Sequence, residues 1–359
     1  MTGSEPYTPD INQLLDGLGT DSIAAALMVA EHAVRVGQRD LGLALCERLA
    51  MSRGDEPAIN LHKASILARC HAHEQALRVL QALRQRYPEL LLAAVYEGML
   101  WIDLREPRRA CSLFRSVLRQ CPDFPGVANM LATVAMPGSP YREVLAWIHR
   151  QLLPRGYLEI GVESGASFAL SQAAVSVGID PDLSRIPGEL RTGTYRLFEM
   201  TSSEFFEKHE PELVFGDVAL DLVFVDGLHR FDQVLRDFSN LERWSHSGTV
   251  VLIHDCLPIS EVVADSKRRS RFWPGDVWKA IVALQEVRPD LSISVVPTSP
   301  AGLAIIRGLD RSSDIVSDNL DALVQRYRDL VLPSPDQGWP PSLPVVSNDT
   351  SGWLGALGL

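Results

Sequence analysis

Residues 157–180 read YLEIGVESGASFALSQAAVSVGID, and the order of signals in this stretch decides the fold. A short apolar run, Tyr157–Ile160, breaks at Gly161 into a loop with a second glycine at Gly165 and a hydroxyl at Ser167. A second run, Ser176–Ile179, then ends in Asp180. Glycines let a backbone turn sharply and approach a ligand, and a helix that follows points its N-terminus at that ligand. A carboxylate about 20 residues beyond such a loop, at the end of the next strand, is placed to hold two ribose hydroxyls. The glycines alone are also compatible with a plain turn.

Further short apolar runs alternate with helical stretches downstream: Tyr195–Met200, Leu222–Val225 and Thr249–Ile253, the last nearly all β-branched residues and Leu. Such runs suit parallel strands buried on both faces. Ser292–Val296 and Leu303–Ile306 are separated only by a short turn-rich segment, so they close the sheet as an antiparallel hairpin. The expectation is an α/β domain with a seven-stranded, mostly parallel sheet over residues 157–310. A polar helix should run to about Leu332 and a proline-rich extended tail should complete residues 311–359.

Upstream the pattern is an internal repeat of period 34. Ala64 and Gly98, Leu67 and Trp101, Ala76 and Ala110, Leu80 and Phe114, and Pro88 and Pro122 all fall in one register. Small residues let paired helices approach, an aromatic or Leu fills the space between units, and proline stops the second helix. An earlier unit has Ala30 and Gly42 at the small positions and Gly54 where the proline would stand. The spacing resembles the tetratricopeptide repeat, which implies an all-α helical repeat domain over residues 1–135. A linker and lead-in helix over residues 136–156 follow. Such stacks pack, self-associate or bind a protein partner and carry no chemistry themselves.

Composition narrows the function. The chain has 359 residues, 46% apolar and 22% charged, which excludes a disordered chain. Its net charge of −11 argues against nucleic acid as the main partner. The longest apolar runs, such as Leu90–Tyr96, fall far short of the roughly 20 residues of a membrane span. The opening MTGSEPYTPD has no basic start or apolar core, so a cytoplasmic location is expected. The five cysteines show no Cys-x-x-Cys spacing and read as reduced, packed thiols.

The motifs E-x-G-x-x-x-G-x-S (159–167), GIDP (178–181), DLVFVDGLH (221–229) and GTVVLIHD (248–255) resemble the class I S-adenosylmethionine-dependent methyltransferases across residues 157–307. The likeness is nearest to the branch of metal-dependent sugar O-methyltransferases and cephalosporin-hydroxylase-like proteins. It implies a Rossmann-like fold, S-adenosyl-L-methionine as cofactor, and a small-molecule or glycan acceptor. The cofactor residues it implies are Glu159, Gly161, Gly165, Ser167, Asp180, Thr201 and Ser202. Thr201 and Ser202 are equally suited to cap a helix, with Glu204 close behind. Glu163 departs from the pattern, standing where many class I enzymes have a third glycine. A related enzyme of different chemistry, or a scaffold that keeps the fold without catalysis, are the alternatives.

Residues just past the fourth and fifth strands face one crevice in such a sheet. They are Asp226, His229, His254 and Asp255. Two carboxylates following apolar runs are costly unless paired, and a hard divalent cation would pair them. The resemblance places a metal, Mg²⁺ or Mn²⁺, on Asp226, His254 and Asp255, with His254 either a ligand or a structural histidine. Asp226 and His229 are the expected catalytic pair, His229 as general base on an acceptor hydroxyl. Asp237 reads as a solvated helix acid that can also approach this face. The segment after the fifth strand reads as a substrate lid. Its KRRSR run (267–271) suits either an anionic group or solvent, and Phe272, Trp273 and Trp278 suit either a stacking platform or core.

Overall fold

The computed structural model describes residues 23–53, 56–334 and 338–359. The opening stretch MTGSEPYTPD and Gly54 lie outside the described residues. The chain divides into two compact units, Met1–Gln120 and Cys121–Leu359. No described helix is long and apolar enough to cross a membrane.

The first unit is a series of helical hairpins: α1 (Ile23–Arg35) with α2 (Arg39–Arg53), α3 (Pro57–Arg69) with α4 (His73–Arg86), and α5 (Leu91–Asp103) with α6 (Pro107–Gln120). The repeat positions hold these pairs together. A Cβ on Gly98 would stand 2.5 Å from the Phe114 ring, and one on Gly42 would stand 2.8 Å from the Ala30 carbonyl oxygen. Ala64, Ala76 and Ala110 are buried at equivalent contacts. Helices α4 and α6 stop just before Pro88 and Pro122, as expected from the lost amide donor.

The second unit opens with α7 (Val127–Ala135), which the repeat reading had grouped with the helices before it, and α8 (Tyr141–Leu152). The strands β1 (Gly156–Ile160), β2 (Val175–Asp180), β3 (Tyr195–Glu199), β4 (Leu220–Val225), β5 (Val250–His254), β6 (Ser292–Val296) and β7 (Leu303–Arg307) form one sheet. Their order is β3-β2-β1-β4-β5-β7-β6, with β7 antiparallel to both neighbours. Strands β1 and β5 are buried along their whole length, which is why they read as continuous apolar runs. The order reverses between β1 and β4, where a crevice opens at the carboxyl ends.

Three expectations are corrected. No α-helix follows the glycine loop; only a 3-10 turn, Phe168–Leu170, lies between β1 and β2. Ser171 leaves the helical region at ψ 134 and its hydroxyl bonds to Ser176 at 2.8 Å, while α8 covers the sheet face with Val144, Leu145 and Ile148 packed in one cluster with Phe168. The single polar helix after Gly308 is two short ones, α13 (Ile315–Asp318) and α14 (Leu320–Tyr327), separated at Asn319. The tail is extended only in part. Val345 bridges Val295 along the outer edge of β6, and the chain then forms helix α15 (Thr350–Leu357). Asp349 caps α15 through the Gly352 amide, and Trp353, Ala356 and Leu357 are buried in the sheet core. The cap followed by WLGAL was a readable helix start, hidden by the prolines before it and the glycines within it.

Candidate active site

A cleft of about 710 Å³ lies at the carboxyl ends of β1, β2, β4 and β5. On its β1–β3 side the backbone does most of the shaping. Gly161 takes φ +89, and a Cβ there would stand 2.1 Å from the Asp226 carbonyl oxygen, so only glycine allows the two strand ends to lie this close. Asp180 fastens the loop from the end of β2: its carboxylate accepts the Glu163 amide at 2.8 Å and the Asp182 amide at 2.9 Å. Each carboxylate oxygen keeps a further acceptor position. Ser167 donates to Glu159 at 2.6 Å, and Tyr157 donates to the same carboxyl. Glu159 itself is fully buried beneath the loop, not exposed to the cleft, and burial pushes its carboxyl up to about 8.

Thr201 starts α9 (Ser202–Lys208) as a complete capping box with Glu204, and both Thr201 and Ser202 line the cleft. Past the short helix α10 (Pro211–Phe215), helix α11 (Phe231–Trp244) brings Gln233 beside them, its side-chain amide 3.2 Å from the Ser202 hydroxyl. Asp237 accepts from Gln233 at 2.9 Å and is buried, not solvated, with its carboxyl pushed up to about 6 by burial.

The β4–β5 side is built from charges. Asp226 leaves β4 and Asp255 leaves β5, and one ligand atom each from Asp226, His229 and Asp255 lies within 4.8 Å of the others. His229 at φ +56 and Asp255 at φ +63 hold left-handed backbone conformations that non-glycine residues seldom adopt. The His229 Nδ1 stands 2.8 Å from both the Trp273 carbonyl and Asp255 Oδ2. Its single N–H serves the carbonyl, which leaves Asp255 Oδ2 buried without a hydrogen bond. His229 Nε2 faces Asp226 at 3.5 Å.

The set therefore differs from the expected one. His254 takes the place of a supporting residue: its Nδ1 lies 3.0 Å from Asp226 Oδ1, its ring packs 4.1 Å from that of Tyr141, and its Nε2 is buried without a partner. His229 is the third member of the cluster with Asp226 and Asp255. Burial opposes charge on its ring, yet Asp255 and Asp226 outweigh burial and push it up to about 11. For Asp226 burial is likewise outweighed, by His254 and His229, and its carboxyl is held well below the usual carboxylate range. A histidine charged in this way is no base at neutral pH until another positive charge answers the two carboxylates.

The segment between β5 and α12 (Trp278–Val287) covers this side. Trp273 stacks on the His229 ring at 5.7 Å and 24° and donates its indole N–H to the Asp265 carbonyl at 2.7 Å. Phe272 also lines the cleft. Trp278 does not: it is buried against Ala264 and Leu332, as core. Among the lining residues not read from sequence are Tyr141 and Arg142, which reach the cleft from the first turn of α8. Pro140 just before them marks the helix start, but no pattern tells that its first turn faces a crevice.

Residues 158–256 match the methyltransferase domain family, and the second unit therefore contains a methyltransferase domain. No protein of curated function matches the chain. Among solved structures, the S-adenosylhomocysteine-bound methyltransferase PaMTH1 of Podospora anserina is 16% identical, covering 56% of this chain and 88% of that one with TM-score 0.37. The O-methyltransferase TomG of Streptomyces achromogenes, in complex with S-adenosylmethionine, is 18% identical over 55% of this chain and 88% of its own, with TM-score 0.37. MamA of Desulfovibrio magneticus RS-1 is 16% identical over 32% of this chain, with TM-score 0.28, and this chain spans 63% of that protein's length.

Proposed function

We propose that this chain is an S-adenosylmethionine-dependent O-methyltransferase that uses a divalent cation and acts on a hydroxyl of a sugar or glycosylated metabolite. The observation that carries the reading is the meeting, in one cleft, of the Asp180-fastened glycine loop with Asp226, His229 and Asp255. Gly161 and Ser167 form the cofactor floor, while Gly165 is buried off the cleft at φ +79 and serves the turn of the loop. Asp180 takes the ribose hydroxyls at its remaining acceptor positions, and Thr201 and Ser202 stand at the adenine base. Glu159 acts from beneath by holding Ser167. Arg142, which has no carboxylate partner among the described residues, answers the cofactor's own carboxylate.

Two carboxylates, an imidazole and the unbonded Asp255 Oδ2 fit a small divalent cation, held by Asp226, Asp255 and His229. When bound, the cation would supply Lewis acidity at the acceptor oxygen, and S-adenosylmethionine would supply the methyl group. The chain's own residues orient and exclude. Trp273 covers the cluster from solvent, and its carbonyl fixes the His229 proton on Nδ1, which leaves the lone pair of Nε2 to the cation. The helical repeats serve as a docking or self-association unit.

Calorimetry of the full chain with S-adenosylmethionine and S-adenosylhomocysteine, each repeated with Mg²⁺ and Mn²⁺, tests the reading. Binding of both nucleosides is expected. Heat from neither would overturn the cofactor assignment, and absence of any cation binding would overturn the metal assignment alone.

A further inference from the structure

The lid segment offers four basic residues in five positions, Lys267, Arg268, Arg269 and Arg271, and the fold sorts them. Arg269 is spent on Asp265 at 2.9 Å. Arg268 and Arg271 line the cleft, and neither has a carboxylate partner among the described residues. Arg268 is pre-set by its own loop: Nε donates to the Ser270 carbonyl at 3.2 Å and Nη2 to the Arg271 carbonyl at 3.1 Å. That leaves its Nη1 edge unused in a fixed orientation. Arg271 is anchored through its backbone, its amide donating to Asp123 at 2.6 Å, so its side chain springs from a held position. Ser270, which donates to the Phe272 carbonyl at 2.6 Å, closes the turn between them.

These arginines stand on the β5 side, on the same segment as Trp273, which stacks over His229. The cleft they line also carries Asp226 and Asp255, so two arginines and two carboxylates share one site. Two unanswered guanidinium groups facing a concave site are a recognition element for a bidentate oxyanion. Beside them, Phe272 and Trp273 present rings that can pack on a flat or apolar portion of the same molecule.

We propose that the acceptor carries an oxyanion group, a phosphoryl or a carboxylate, which Arg268 and Arg271 hold at the rim while its hydroxyl lies at the acidic floor. This deepens the methyltransferase reading above and rests on it for the role of the floor. The rim is a specificity site for the acceptor, separate from the cofactor's contacts on β1–β3.

The test uses the full chain with glucose, glucuronate and glucose 6-phosphate as probes, titrated with and without saturating S-adenosylhomocysteine. At least one charged sugar is expected to bind about 10- to 100-fold more tightly than glucose, the effect of a charge-assisted contact or two. Which one wins tells carboxylate from phosphoryl. The R268Q/R271Q double variant should erase that preference while leaving S-adenosylhomocysteine affinity within about threefold, because the side-chain bonds of Arg268 stay within its own exposed loop. Equal affinity for all three sugars, no binding of any, or an undiminished preference in the double variant would overturn the proposal. Loss of S-adenosylhomocysteine affinity in the double variant would also overturn it, by assigning the rim to the cofactor. Failure of the methyltransferase reading shows separately, as absence of S-adenosylhomocysteine binding to the wild type, since the sugar titrations without it remain readable.

Discussion

Glu159 lies within β1 and Asp226 directly follows its neighbour β4; one is buried and the other half-buried at the cleft, and they are held in opposite protonation states. Around Glu159 the partners are hydroxyls, from Tyr157 and Ser167, which soften but do not cancel the cost of burying a charge. Around Asp226 they are two imidazoles, which cancel it. One side of the cleft is thus a backbone-shaped seat resting on a neutral buried carboxyl, and the other a set of paired fixed charges. The contrast teaches that the same residue class on neighbouring strands serves two purposes, set by what the next loop brings.

The largest test of this contrast is Asp226→Asn. If the charged side holds a cation, Mn²⁺ affinity measured by calorimetry or paramagnetic resonance should fall at least about 100-fold, as for loss of a ligand rather than of its support. S-adenosylhomocysteine affinity should stay within about threefold. Unchanged Mn²⁺ affinity would erase the distinction between the two sides.

Next in size is Asp180→Ala, expected to weaken S-adenosylhomocysteine binding by about 1–3 kcal/mol, the cost of unmade hydrogen bonds to a charged group. Mn²⁺ affinity should not follow. A loss of both would mean that the sides are one coupled site.

Glu159→Gln sharpens the neutral side through pH. The folded carboxyl ionises near 8, above the ordinary 4.5, so folded protein keeps its proton where unfolded chain has lost it. Wild-type stability should therefore fall, relative to the glutamine variant, as pH rises from 4.5 towards 8. Below that window the two should be nearly equal, and above it the gap should reach a few kcal/mol, at about 1.4 kcal/mol per unit. Urea unfolding across that range measures it, and a gap that is flat with pH would show that Glu159 is ionised in the native protein.

The smallest expected effect is Thr201→Ala. Loss of the cap should cost about 0.5–2 kcal/mol of stability by denaturant unfolding, with cofactor affinity falling by no more than that. A larger loss of affinity than of stability would make Thr201 a binding residue first.

Much of this was legible in the sequence because it is periodic or terminal. All seven strands stand where the apolar runs place them, most plainly β1 and β5, whose burial along their whole length leaves little room for polar residues to mask the run. The 34-residue spacing located Ala64, Gly98 and Phe114 because close helix packing leaves no other solution at those positions. The site residues at the ends of β4 and β5 followed from topology alone. Choosing between His229 and His254 did not, because it depends on a left-handed turn at His229 that swings its ring between the two carboxylates. The burial of Asp237 was equally hidden: one helical turn separates it from Gln233, and only the packing of α11 says which way that face looks.

The cleft draws its walls from outside the matched segment. Tyr141 and Arg142 precede residue 158, while Arg268, Arg271, Phe272 and Trp273 follow residue 256. The part shared with the family thus carries the seat and the charged floor, and the flanking segments supply both ends of the enclosure. A lineage can then exchange its flanks and change what it modifies without disturbing how it does so. Chains alike over the shared segment but divergent on either side of it should be sorted by those walls when substrates are assigned.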